Sequence, residues 1–146
     1  MADDLQKKIE IGARWIFESK KIVIFTGAGI STESGIPDYR GPDGVWTRRD
    51  KGLPPPKWKV PQNQVKPNDG HNCIVELQNM GKLSLLISQN VDGLHIDSGI
   101  KLDMIAELHG NKNFMKCIEC DKRFLQNEIG WDLSKHGNGY RTSKPI

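Results

Sequence analysis

Three kinds of residue in this sequence stand at spacings that suit chemistry. The first is the stretch TGAGISTESGIPDYRGPDGVW, Thr26 to Trp46, which places five glycines and two prolines directly after the apolar run Ile22-Val23-Ile24-Phe25. A glycine loop leaving the carboxyl end of a parallel strand bares backbone N–H groups against which a phosphate can sit. Gly27 and Gly29 would permit that close approach. The pattern departs from the dinucleotide fingerprint G-x-G-x-x-G, because Thr32 occupies the place of the last glycine, and no acidic residue clearly ends a second strand about 20 residues on. Taken alone, the glycine pair reads equally well as a turn that needs positive φ. The second kind is the imidazole: His71, His95, His109 and His136. On general grounds His71, His95 and His136 read as structural partners, His95 because it ends a loop flanked by apolar residues. The third kind is the thiol pair Cys117 and Cys120 in CIEC. A C-x-x-C knuckle presents two thiolates to one metal, but tetrahedral structural zinc takes four ligands, and no second C-x-x-C follows. A redox role fits less well, since the pair does not open a helix after a strand.

The elements that must hold these groups are legible from periodicity. Leu5, Ile9, Ala13 and Ile16/Phe17 recur at helical spacing, with Asp3 or Asp4 expected as the cap. Lys21 to Thr26 reads as a short strand of β-branched residues, and the lack of polar alternation predicts burial on both faces of a parallel sheet. From Arg48 to Pro67 the composition turns to Lys, Pro and Gln, which predicts an exposed connection with a small lid element. Helical spacing resumes after Pro67, with Asn68 or Asp69 as cap, Ile74, Leu77 and Cys73 facing inward, and Gly81 as the stop. Leu83 to Ser88 then reads as a second buried strand, so that strand, loop, helix and strand make a βαβ unit. Met104 to Leu108 is a candidate third strand. The segment Ser134 to Ile146 has no periodicity and is expected to be poorly ordered.

Composition narrows the function classes. The chain has 146 residues, room for one domain with a core, but only 36% are hydrophobic, which predicts a loop-rich or incomplete domain. A net charge of +3, with both signs mixed along the chain, gives no concentrated field for nucleic acid or an anionic membrane. The first residues do not read as a secretory signal, and no apolar run approaches a membrane span. Three cysteines do not make an even disulfide framework. The expected setting is a soluble protein of a reducing compartment, cytoplasmic, or nuclear in a eukaryote.

GAGISTESGIPDYRGPDGVW, SQNVDGLH from Ser88 to His95, ELHGN from Glu107 to Asn111 and CIEC, in this order, resemble the sirtuin family across roughly Lys21 to Cys120. The resemblance implies an α/β fold, a partial Rossmann-like parallel sheet of the sirtuin type with a small zinc-ribbon-like insertion. It implies an NAD-dependent protein-lysine deacylase that transfers the acyl group to ADP-ribose and releases nicotinamide. The family's cofactor region then matches Gly27, Ala28, Gly29, Ile30 and Ser31 around the pyrophosphate. Ile36, Asp38, Asn90 and Asp92 match the nicotinamide pocket, where a buried carboxamide needs a fixed donor and acceptor. Arg40 would meet the phosphates, Tyr39 and Trp46 would wall the ribose site, and Gln89 would contact a ribose. Tyr39 stands where phenylalanine is usual and Ser88 where threonine is usual. The histidine matching the family's general base is His109, and a neutral imidazole near physiological pH suits that task. Cys117 and Cys120 match half of the zinc site. Cys73, on a helical face, is expected in the core.

These readings divide the chain into a partial NAD-binding domain at 1–111 with its cofactor loop at 27–67, half of a zinc module at 112–133, and a tail at 134–146. The segments that bind adenosine in the family have no counterpart here, so the chain reads as a truncated form whose activity is in doubt. The expected partners are NAD and an acylated-lysine protein. An unpaired sheet edge adds a route to self-association. Two other functions stay open beside the deacylase: a non-catalytic NAD or ADP-ribose binder, and a protein ADP-ribosyltransferase acting at the same ribose carbon.

Overall fold

The computed structural model describes residues 2–112, 114–125 and 128–130. Helix α1 spans Ala2–Glu18 and strand β1 spans Ile22–Thr26; after a one-turn 3-10 segment at Ala28–Ser31 and the short helix α2, Val45–Asp50, the chain crosses to α3, Asp69–Asn79. Strand β2 is Leu83–Ser88, α4 is Leu94–Ser98 and β3 is Ile105–Glu107. A hairpin of β4, Phe114–Lys116, and β5, Arg123–Leu125, follows.

The three longer-range strands form a parallel sheet in the order β1-β2-β3. Ile24 lies opposite Leu86 and Thr26 opposite Ser88, while Leu86 pairs with Ile105 and Ser88 with Glu107. This is the α/β parallel sheet expected from the apolar runs, with α3 as the crossover between β1 and β2. The register brings Thr26, Ser88 and Glu107 to one edge, so the loops that follow all three strands leave from the same side of the sheet. Backbone bonds fasten them there: Gln89 N donates to Thr26 O at 3.1 Å and Leu108 N to Ser88 O at 2.9 Å.

Among the described residues the core is built on one face of the sheet. Ile74 of α3, Leu83 and Leu86 of β2, and Ile100 are buried, with Ile24, Ile30, Val75, Leu77, Met104 and Ile105 packed around them. Helix α3 starts on Asn68, whose side chain accepts from the N–H groups of Gly70 and His71, and ends before Gly81 at φ 69°. Its inward stripe is His71, Ile74 and Gln78. Cys73 is exposed, not in the core as expected, because it sits one position off that stripe.

Two further expectations are corrected. β1 is not buried on both faces: Val23 and Phe25 are each 60% exposed, because no described element packs over that side of the sheet. Helix α1 already begins at Ala2, so Asp4 lies inside its first turn and not at the cap position expected for it. Along α1 the expected apolar residues do recur, but Leu5, Ile9, Trp15, Ile16 and Phe17 are all exposed. Its C-terminal end is tied to the sheet by Lys82, whose Nζ donates to the carbonyls of Ile16, Phe17 and Ser19. The tail 134–146, with His136, lies outside the described residues. No helix among those described is long and apolar enough to cross a membrane.

Candidate functional site

A cavity of about 960 Å³ opens at the carboxyl edge of the sheet. The glycine loop supplies Gly27, Ala28, Gly29, Ser31, Ile36, Asp38, Tyr39, Arg40 and Trp46 to its wall. The loop after β2 supplies Gln89, Asn90 and Asp92, and the turn after β3 supplies His109. Of the candidate ligand-contacting residues only Ile30 is elsewhere: its side chain packs on the core and its carbonyl accepts from Asn68 Nδ2 at 2.7 Å.

The polar groups at the cavity floor form a connected set. Ser31 Oγ donates to Asp92 Oδ2 at 2.7 Å, and Asn90 Nδ2 donates to Ser31 Oγ and to Gly27 O, both at 3.2 Å. Asp92 Oδ1 accepts from Leu94 N at 3.0 Å. Ser31 is fully buried, so these bonds satisfy groups that water does not reach. The network joins the glycine turn to the β2 loop and fixes the spacing between them. Asp38 has a second task besides lining the cavity. Its Oδ1 accepts from Gly41 N at 3.1 Å and its carbonyl accepts from Val45 N at 2.9 Å, which closes the loop from 38 to 45. The Arg40 guanidinium lies 4.2 Å from the centre of the Trp46 ring, and Tyr39 packs against the same indole at 5.2 Å.

His109 is exposed, and its Nδ1 lies 2.9 Å from Gln89 O. A carbonyl oxygen only accepts, so Nδ1 carries the hydrogen and the lone pair is left on Nε2. A neutral imidazole held this way has one basic nitrogen of known identity. Two residues before it, the Glu107 carboxyl is pushed up by burial, an effect opposed by its bond from Asn111 Nδ2.

Sequence reasoning left several cavity residues unassigned. Trp58, Gln62 and Val65 form a wall from the proline-rich segment, expected only as a lid. Lys59 N donates to Gly35 O at 3.0 Å, so that wall is attached to the glycine loop. Gly35 has φ 95°, and a Cβ there would lie 2.8 Å from Val60 Cγ2, which ties this glycine to the packing of the wall. Lys112 also lines the cavity and pairs with Asp97 at 3.5 Å. The signal for these residues was weak because a tryptophan among prolines and lysines carries no period.

Cys117 and Cys120 lie in the connection of the β4–β5 hairpin. The N–H groups of Cys120 and Glu119 hold the Cys117 thiol below its ordinary range. No group of three or more His, Cys, Asp or Glu side chains able to hold a metal occurs among the described residues. Two thiolates alone do not make a closed zinc site.

Comparison with known proteins bears directly on this cavity. The profile described as the Sir2 family matches residues 27–57 and 56–140. The NAD-dependent protein deacetylase SRT1 of Oryza sativa subsp. indica is 49% identical over 122 residues, which is 84% of this chain and 25% of that protein. The NAD-dependent protein deacetylase 1 of Bradyrhizobium diazoefficiens is 36% identical over 148 residues, 90% of this chain and 57% of its own length. Among solved structures, a Sir2 complex with a p53 peptide and NAD+ aligns with a TM-score of 0.60 at 30% identity, covering 89% of this chain and 57% of that one. A Sir2 variant with deacetylated p53 peptide and 3'-O-acetyl ADP-ribose aligns with a TM-score of 0.61 at 31% identity, covering 86% and 56%. The chain thus spans between a quarter and somewhat over half of the length of these relatives.

Proposed function

The chain belongs to the Sir2 family, and from that premise we propose that it carries the nicotinamide-binding half and the base of an NAD-dependent protein-lysine deacylase. The observation that carries the reading is His109, with Nδ1 pinned on Gln89 O, on the wall of the same cavity as the Gly27–Ser31 turn. NAD, when bound, supplies an N-glycosidic bond whose cleavage releases nicotinamide and opens the ribose carbon to the acyl oxygen of an acylated lysine.

The residues present fit such a ligand. A Cβ on Gly29 would meet no atom within 4 Å, so the backbone there faces open space that an anion can enter. Asp38 and Asp92 carry acceptor oxygens for the N–H groups of a carboxamide, and Ile36 and Asn90 stand beside them on the cavity wall. Arg40 serves the phosphates, and Tyr39, Trp46 and Gln89 the ribose side. His109 accepts a proton at Nε2 and holds it, and Trp58, Gln62 and Val65 add the wall from the proline-rich segment. Cys117 and Cys120 do not by themselves fit zinc, and no step runs through a metal. The unpaired cysteines suit a reducing compartment such as the cytoplasm.

The test is nicotinamide release from NAD in the presence of an acetyl-lysine peptide. We expect release by the unaltered chain and a loss of about a hundredfold or more in His109→Ala, the range for removal of a general base. Equal release from both proteins would remove His109 from the mechanism. A second reading is a non-catalytic NAD or ADP-ribose binder, which the same cavity would serve without turnover. Binding by calorimetry without any nicotinamide release would select it. The exposed β1 edge and face also lead us to propose that the chain self-associates.

A further inference from the structure

Behind the cavity, and outside every role assigned above, two imidazoles are buried against each other. His71 of α3 is 0% exposed and His95 of α4 is 3% exposed, with ring centres 4.9 Å apart and planes at 54°. Each ring reaches outward with one nitrogen. His95 Nε2 lies 2.9 Å from Thr26 Oγ1, at the end of β1, where the glycine loop begins. His71 Nδ1 meets Asn68, with the backbone N–H at 3.3 Å and Oδ1 at 3.0 Å. Asn68 in turn donates from Nδ2 to Ile30 O at 2.7 Å and to Ser34 Oγ at 3.0 Å. The contacts therefore run from the glycine turn through α3 and α4 to the end of β1. The other two nitrogens, His71 Nε2 and His95 Nδ1, are buried with no hydrogen-bond partner among the described residues.

A neutral imidazole has one N–H and one lone pair, so each ring can serve its outward neighbour and leave a single group unmet. Protonation turns both nitrogens of a ring into donors and puts a charge in a dry site against a second ring. The geometry points to a positioning pair: His71 and His95, while neutral, hold the root of the glycine loop on the sheet edge, and protonation of the His95 ring, which reaches Thr26 where that loop begins, releases it.

The neighbouring groups agree with this direction. Burial lowers the His95 pKa to about 4, helped by His71 and opposed by the Asp92 carboxylate on the loop after β2. Burial also lowers that of His71, again opposed by Asp92. The remaining contacts, Thr26 from β1 and Asn68 before α3, are uncharged. Because the folded pKa lies below the ordinary 6.5, the native form binds fewer protons than the unfolded chain in acid. The pair's contribution is fully present above pH 6.5 and is lost as pH falls from there towards 4.

The inference needs no NAD chemistry, so its test is separate from that of the deacylase reading. The ¹⁵N-labelled full chain is titrated from pH 7.5 to 4 by NMR, following the ring nitrogens of His71 and His95 and the backbone amides. We expect His95 to be still neutral at pH 6 and His71 to titrate below its ordinary value, and the amides of Gly27, Ile30 and Gln89 to move with the His95 midpoint while those of α3 beyond Ile74 stay in place. In His95→Gln, which keeps a polar group for Thr26 but cannot titrate, the movement at that midpoint should vanish. Rings that titrate near 6.5 would overturn the inference. So would loop amides that ignore the ring midpoint, or a collapse of all amides together at it. Should the variant fail to fold, the titration of the unaltered chain decides alone.

Discussion

Gly29 and Gly44 belong to one loop and answer to opposite constraints. A Cβ on Gly29 would touch nothing within 4 Å, whereas one on Gly44 would lie 2.6 Å from the Tyr39 carbonyl group and 2.7 Å from Asp38 Oδ1. Gly44 sits at φ −67°, so it is required for space and not for an unusual backbone angle. Gly44→Ala must therefore push apart the turn that Asp38 closes, at a cost of about 1–3 kcal/mol by overpacking. Gly29→Ala should leave stability within about 0.5 kcal/mol, as a change in open space does, yet lower ADP-ribose affinity about tenfold, equivalent to about 1.4 kcal/mol, by standing between backbone and phosphate. Urea unfolding and calorimetry on the two variants separate the effects. Full affinity in Gly29→Ala would mean that no ligand approaches the backbone there.

At the scale of elements, α3 is positioned by one residue at its start. Asn68 caps the helix through Oδ1 and binds the glycine turn through Nδ2, at Ile30 O and Ser34 Oγ. Asn68→Ala loses a cap worth about 1 kcal/mol and two part-buried bonds of about 1 kcal/mol each. We expect about 2–3 kcal/mol of lost stability by denaturant unfolding. Asn68→Asp retains the cap acceptor but has no donor for Ile30 O, so it should recover the helix contribution and not the loop contact. A loss equal to that of alanine would show that the cap contributes nothing. That cap was legible in the sequence, as were the β-branched strands and the Gly81 stop, because each depends on local chemistry. The inward stripe of α3 was less legible. Its buried places are taken partly by His71 and Gln78, polar residues whose partners are distant in sequence. Gln78 donates to Gly99 O and accepts from Lys101 N. A hydrophobic count favours Cys73 over either. The candidate site divides the same way: Gly27, Asn90 and His109 were found through motifs, while Trp58 and the Thr26–His95 contact depend on folding that no local pattern records.

At the scale of the whole molecule, the described residues cover one face of the parallel sheet. Parallel sheets are stable with both faces buried, and here Ile24 and Leu86 meet α3 while Val23 and Phe25 of β1 remain 60% exposed. The uninterrupted apolar run of β1 led to the expectation of two buried faces, and no described element supplies the second layer. Among the described residues β1 is also the end strand of the sheet, paired with β2 alone. Exposed alternate apolar side chains beside an unpaired backbone edge favour addition of another strand, and Trp15 and Phe17 of α1 add further exposed apolar surface. The net charge of +3 offers little repulsion against it. The occupant to which we commit is a second copy of this chain. Light scattering coupled to size exclusion should find dimers or larger species at micromolar concentration, and Phe25→Lys, which places a charge on the open face, should shift them towards monomer without unfolding the chain. A clean monomer for the unaltered chain at every concentration would exclude that face as a contact between copies. If Phe25→Lys stays folded and associates as before, the interface lies elsewhere.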